Sequence, residues 1–360
     1  MKIMMVITGM QSGGAERVMA TLCNELSKRN QVRLLVMKEK KTDYELKDNI
    51  EFVAGNVTNQ SLLKSVRFVR QQMDDWQPQV VLSFMTKSNL ITLLAKKMAK
   101  WKAPVIIAER ANPNYTGSLL KVLRKFVYPS ADGCVFQTKQ AQKYYNDILN
   151  CNSIVLRNPL NPNFKVQLHQ GVRTKRIVSV GRLSVEKNQR LLIESFSKIA
   201  VSYPEYSVEI FGEGPLRNEL QSFINKKNLQ SQVRLMGRKD NIQEYISDAE
   251  IFVLPSNSEG MPNALLEAMA LGMACIATDC PIGGPAVIIE NKKNGILVPM
   301  NESQIMADTL ELLIGNDGLS SRLRAEAKKV VEHYDTEKVC AEWETYIRGV
   351  VSSIAKNGRS

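Results

Sequence analysis

"RNPLNPNFKVQLHQGVRTKR", residues 157–176, interrupts an otherwise regular pattern near the middle of this 360-residue chain. It shows no apolar periodicity, and its prolines and asparagines crowd together, the composition of a linker between domains. On either side of it, short β-rich runs alternate with helical patterns. Before it come "KIMMVIT", "QVRLLVM", "VVLSF", "PVIIAE", "GCVFQT" and "SIVLRN", with helices expected over 16–29, 62–73 and 118–128. After it come "RIVSVG", "SVEIFG", "VRLMG", "IFVLPS", "ACIATD" and "GILVP". Such alternation predicts parallel sheets with helices on both faces. The fold class is therefore α/β, two doubly wound domains at 1–165 and 166–340, with a helical tail over 341–360. Val339, Trp343, Ile347 and Val351 mark one buried stripe near that end. In such sheets ligands bind beyond the C-terminal ends of the strands, and two facing sheets make a cleft.

Composition narrows the function. Hydrophobic residues make up 44% and charged residues 23%, the balance of a water-soluble globular chain. The longest apolar runs fall well short of the ~18–20 residues of a membrane span. Six scattered cysteines without a C-x-x-C pair read as reduced thiols of a cytoplasmic protein. With only His169 and His333, both outside any motif, no histidine-based triad or metal site is expected. The charge is uneven: residues 1–165 carry 25 Lys and Arg against 12 Asp and Glu, and the remainder 23 against 24. A basic excess confined to one half points to an anionic partner there.

Four stretches can carry chemistry, each at a strand-to-helix junction. "GMQSGGAERVM" (9–19) is a Gly-rich turn opening a helix, either an anion site or simply a tight turn. "VGRLSVEKNQR" places Arg182 and Lys187 on a loop after a strand, where two cations clamp a diphosphate or form a solvated basic loop. "FGEGPLRNEL" (211–220) contains G-x-G without the third glycine of a dinucleotide fingerprint. "SNSEGMPNALLEAMALG" (256–272) sets Glu259 in a loop and Glu267 in the helix that follows. Pro262 suits its first turn, and Gly272 its stop. N–H groups of Asn263 and Ala264 at that helix start suit phosphate oxygens; the alternative is an amphipathic helix with Glu267 merely solvated.

These elements in this order resemble the retaining glycosyltransferases of family 4, with the two-domain GT-B fold. "GGAE" (13–16), "GRLSVEKN" (181–188), "GEGP" (212–215), the Glu-x7-Glu of "EGMPNALLE" (259–267) and "GGPAVIIENKKNGILVP" (283–299) match the family pattern over essentially the whole chain. The resemblance implies Rossmann-like domains facing across a cleft, an acceptor-binding first and a nucleotide-sugar-binding second. It also implies a C-terminal helix that packs back on the first. It implies a hexose or N-acetylhexosamine moved from a nucleoside diphosphate sugar, UDP foremost, to a saccharide acceptor, with retention and without metal or other cofactor. The absence of any D-x-D fits the last point. By the same resemblance Arg182 and Lys187 clamp the donor diphosphate, Glu259 contacts the donor sugar and Glu267 the ribose. Gly14, Gly212, Gly237, Arg238, Gly260, Met261, Asn263 and Ala264 complete the donor site. Residues 236–239 are similar to the segment that pairs with the nucleobase. Gly13, Glu109 and Arg110 fall on the acceptor side.

One position departs from the pattern. "AERANP" puts Arg110 where many relatives carry histidine, and an arginine cannot act as a base. Two basic helices give the first domain's charge a purpose. Lys64, Arg67 and Arg70 lie beside Leu63, Val66 and Val69, and Lys121, Arg124 and Lys125 beside Leu120, Leu123 and Phe126. Such faces suit an anionic membrane surface, as peripheral enzymes of lipid-linked saccharides need; the alternative is the outer layer of the sheet. A nicotinamide oxidoreductase lacks its fingerprint here. A nucleic-acid binder would lack interleaved aromatics and any reader motif, so no nucleic-acid partner is expected.

Overall fold

The computed structural model describes residues 1–11, 13–38, 42–55, 61–110, 117–165, 169 and 171–357. Ser12 of the first Gly-rich turn, residues 111–113 of "AERANP", and 166–168 and 170 of the linker lie outside them. The chain divides into two compact units, one of Met1–Pro159 with Tyr334–Ser360, the other of Leu160–His333.

The first unit is built on seven parallel strands: β1 Lys2–Ile7, β2 Gln31–Val36, β3 Ile50–Ala54, β4 Val80–Phe84, β5 Val105–Ala108, β6 Gly133–Phe136 and β7 Ser153–Val155. Their order is β3-β2-β1-β4-β5-β6-β7. The second has six: β8 Thr174–Val180, β9 Ser207–Phe211, β10 Val233–Gly237, β11 Ala249–Leu254, β12 Ala274–Thr278 and β13 Ile296–Val298, in the order β10-β9-β8-β11-β12-β13. Central strands such as β4, β11 and β12 are buried along their whole length. Covered on both faces, they read as continuous apolar runs rather than alternating ones. In each sheet the strand order reverses once, between β1 and β4 and between β8 and β11, and the crevice at such a reversal is where doubly wound sheets bind ligands.

The units divide at 159/160 and 333/334, against the expected 165/166 and 340/341. The linker is partly structured: Pro162–Phe164 forms a 3-10 turn capped by Asn161, and Leu160 and Phe164 are fully buried. At the other end Tyr334 is already buried, with the Arg157 guanidinium 5.9 Å over its ring. The helix Thr336–Asn357 then joins the first unit's core. Trp343 is its anchor, 5.6 Å from the Phe84 ring, with its indole N–H donating to the Arg157 carbonyl at 3.1 Å. The buried stripe runs Val339, Trp343, Ile347 and then Val350, with Val351 only half-buried. A repeat of four outruns the ~3.6-residue turn, so by the third step the buried face has fallen back one position.

No described helix is long and apolar enough to cross a membrane.

Candidate functional site

In the second unit the motif residues gather at the C-terminal edge of the sheet, around the reversal between β8 and β11. The loop leaving β8 is tied first to the turn after β9. Gly181 N–H donates to the Phe211 carbonyl at 2.9 Å, Leu183 N–H to Glu213 at 3.0 Å, and Leu216 N–H to Leu183 at 3.1 Å. Gly212 takes φ +136°, and a Cβ there would stand 2.0 Å from the Gly181 carbonyl oxygen. The "GEG" glycine therefore lets two loops touch and is not the remnant of a dinucleotide turn.

The same loop is tied on its other side to the loop after β11. Asn257 N–H donates to the Glu186 carbonyl at 2.8 Å, its side-chain amide to Val185 at 3.0 Å, and the Asn188 amide to Asn257 Oδ1 at 3.0 Å. Asn188 adopts the left-handed conformation (φ 46°) that asparagine tolerates. These ties bring the two sequence-predicted charges into contact: Lys187 Nζ lies 2.6 Å from Glu259 Oε1. Ser256 Oγ donates to the same oxygen at 2.7 Å, and Thr278 Oγ1 donates to the Ser256 carbonyl. The Glu259 side chain is 8% exposed and that of Lys187 30%, so the pair lies at the floor of the crevice with the cation on the wet side. Beneath it a Cβ on Gly284 would stand 1.8 Å from the Gly260 carbonyl oxygen, so only glycine admits this loop path.

The helix that follows spans Asn263–Ala270. Pro262 stands at its N-cap, one position before the expected first turn, and no side chain caps the helix. Asn263 and Ala264 are half-buried at its start, Gly260 likewise, and Met261 is buried. Glu267 is 3% exposed, which removes the reading in which it is a solvated helix residue. Arg182 is exposed, and its carbonyl accepts from Gln189 Nε2 at 2.9 Å. Gly237 (φ 72°) accepts from Gly212 N–H at 2.8 Å, and beside it the exposed Arg238 pairs with Asp240 at 3.7 Å. Burial costs Glu186 little, and the Ser184 hydroxyl, its first hydrogen-bond partner, holds its carboxyl below the ordinary range.

In the first unit the predicted residues follow β1 and β5. The Tyr44 hydroxyl both receives the Gly13 N–H and donates to the Gly13 carbonyl, each at 2.8 Å, and Gly14 opens the helix Gly14–Leu26. Arg110 is buried against the Phe84 ring at 4.7 Å and donates to Asn158 Oδ1, which also accepts from Gln137 Nε2 at 2.9 Å. Burial pushes the Arg110 guanidinium down to about 9, and the Glu16 carboxylate works in the opposite sense. It therefore stays a cation at neutral pH. Glu109, expected on the acceptor side, is instead 2% exposed. Its carboxylate accepts from Thr86 (2.9 Å), Asn89 (3.1 Å) and Tyr128, and burial raises its pKa. Both of its oxygens are thus occupied inside the core of the first unit.

Sequence reasoning missed Ser256, Thr278, Gly284, Asn158 and Gln137. Gly284 stood in the quoted "GGP" and was readable. The others are hydroxyls and amides whose value comes only from the partner that folding supplies.

Two family models match the chain one after the other: Glycosyltransferase Family 4 over residues 12–164 and Glycosyl transferases group 1 over 162–330. A Campylobacter jejuni N-acetylgalactosamine-N,N'-diacetylbacillosaminyl-diphospho-undecaprenol 4-alpha-N-acetylgalactosaminyltransferase is 27% identical, over 97% of this chain and all of its own length. A second from that organism, a GalNAc-alpha-(1->4)-GalNAc-alpha-(1->3)-diNAcBac-PP-undecaprenol alpha-1,4-N-acetyl-D-galactosaminyltransferase, is 25% identical over 95% of this chain and 97% of its own. Among solved structures, Anabaena HepE in complex with UDP superposes with a TM-score of 0.78 over 97% of this chain and 100% of its own, at 16% identity.

Proposed function

The chain belongs to the glycosyltransferases of family 4, and from that premise we propose that it moves a hexose or N-acetylhexosamine from UDP to a polyprenyl-diphosphate-linked saccharide. The reaction runs with retention and without metal, in the assembly of a surface polysaccharide. The observation that carries this reading is the Lys187–Glu259 contact at the reversal of the second sheet. It puts a cation and a carboxylate side by side where a doubly wound domain receives its ligand.

In this account the donor diphosphate takes Lys187 from Glu259 and lies between it, Arg182 and the first turn of the helix Asn263–Ala270. The two side-chain charges and the positive end of the helix offset the charge that develops on the leaving nucleoside diphosphate. Glu259, released but still held by Ser256, accepts from hydroxyls of the sugar, and Glu267 from the ribose. Gly260, Met261, Asn263 and Ala264 line the phosphate path. Gly212, Gly237 and Arg238 border the base, and Gly13, Gly14 and Arg110 belong to the first unit's share of the substrates. Undecaprenyl-linked acceptors in the names of both Campylobacter relatives, and UDP in the HepE complex, support the choice of substrates. An acceptor of that kind places the enzyme at the cytoplasmic face of the membrane, with its basic half toward anionic lipid.

The test is calorimetry with UDP, GDP, ADP and NAD on the native protein and Lys187→Ala. Binding of UDP alone, weakened about tenfold or more in the variant, is expected. Binding of NAD alone would return the chain to the oxidoreductases, and equal UDP affinity in both proteins would remove the clamp.

A further inference from the structure

The helix Ser118–Val127 is built the wrong way round for a helix that merely covers a sheet. Its arginine points inward: Arg124 is 1% exposed, donates to the Tyr145 hydroxyl and stacks 5.1 Å over that ring. Val127 is buried beside it and Leu120 and Leu123 are half-buried, but three large apolar side chains point outward. Leu119 is 73%, Val122 53% and Phe126 74% exposed, a spacing of three and four that places them on one stripe. Lys125 is exposed along the flank of that stripe, Lys121 is half-buried beside it, and the helix carries no acidic residue. The other basic helix, Leu62–Trp76, has the ordinary sense. Past Leu62 and Leu63 in its first turn, Val66 and Val69 are buried while Lys64 and Arg67 are exposed. Among the described residues no other helix leaves three large apolar side chains exposed.

We propose that the helix Ser118–Val127 is a membrane-insertion element, its Leu119–Val122–Phe126 stripe entering the acyl layer of an anionic bilayer and Lys125 meeting the headgroups. This rests on the membrane reading given above and sharpens it: the anchor is an apolar stripe, and the helix Leu62–Trp76 adds only charge. The choice of lipid over a second copy of the chain follows from charge and size. A two-fold contact through this stripe would bring Lys125 against its own copy with no acidic residue on the helix to answer it. Three side chains are also too few for the ~800 Å² per partner of a stable interface. An anionic leaflet answers both points, since it takes apolar side chains one at a time and attracts the lysines.

The experiment is flotation with vesicles of phosphatidylglycerol and phosphatidylethanolamine, and with phosphatidylcholine vesicles as the neutral control. The native protein is expected to float with the anionic vesicles and to keep a part of that binding in high salt. The double variant Leu119→Ser, Phe126→Ser, checked for an unchanged Tm and unchanged UDP affinity, is expected to lose about tenfold or more in vesicle binding. Phe126→Trp should show blue-shifted emission on vesicles, quenched by brominated lipid. Undiminished flotation of the double variant would overturn insertion and leave the membrane reading standing on charge alone. Failure of the native protein to float would overturn both, with UDP binding unaffected. A native dimer that the double variant dissolves would assign the stripe to self-association and overturn the inference.

Discussion

Glu259 shows what a single residue needs in order to act. A carboxylate 8% exposed must be held by donors, and here one comes from another loop, the Lys187 ammonium, and one from its own, the Ser256 hydroxyl. In the proposed donor complex, where the phosphates draw Lys187 away, Ser256 would keep Oε1 aimed as a positioning residue. Glu259→Ala should therefore lower kcat by at least ~10²-fold. Ser256→Ala should lower kcat about tenfold while leaving UDP affinity intact, and steady-state kinetics beside calorimetry measures both. A Ser256→Ala variant that loses UDP affinity in the same proportion would make the serine merely structural. Glu109 allows a second test at this scale. Burial raises its pKa, so the native state holds its proton more tightly than the unfolded chain does. Its contribution to stability is then complete below the unfolded value of about 4.3 and is lost as pH rises through the raised native one. Urea midpoints of the wild type should fall relative to Glu109→Gln as pH climbs above that value. Parallel pH profiles would contradict it.

At the scale of elements, the strands were legible because parallel strands covered on both faces leave unbroken apolar runs. Among the elements that escaped, two show the physical reason. β3, "IEFVA", is an edge strand buried only at Ile50, so its sequence carries little of the buried-strand signal. The helix Thr86–Met98 buries Ser88, Asn89 and Thr92 alongside Leu90, Ile91 and Leu93. Polar side chains on its inner face erase the apolar period, and they are there because Asn89 serves the buried Glu109. The helix Ser118–Val127 was legible as an element but not in its orientation, since the inward turn of Arg124 depends on Tyr145 across a neighbouring helix. The C-terminal helix was legible from its stripe, and Trp343 is the residue to test. Trp343→Ala would empty a fully buried site against Phe84 and leave the Arg157 carbonyl without its indole donor. It should cost ~3–5 kcal/mol in the first unit, read from denaturant unfolding; a loss under ~1 kcal/mol would mean that this helix is dispensable to that core.

At the scale of the whole molecule, two separate apolar cores stand on one chain, one spanning Ile177 to Leu323 and the other joining Ile3 to Val350. The sequence shows the division through the break after residue 157 and through the charge, which changes from strongly basic to near neutral across it. It hides which unit owns the ends of the linker, because Leu160, Phe164 and Tyr334 become core residues only once a core exists to receive them. Two cores imply two cooperative transitions, and a ligand stabilises the unit that holds it by RT ln(1 + [L]/Kd), about 2.7 kcal/mol at a hundredfold excess over Kd. With the motifs proposed to hold the donor collected in Leu160–His333, UDP should raise one calorimetric transition and leave the other in place. Trp343→Ala should lower the one that UDP leaves. The two perturbations then address different peaks of the same scan. If UDP and Trp343→Ala were to move the same peak, the nucleotide would be held by the unit of Met1–Pro159, and the assignment of Lys187 and Glu259 would fall with it.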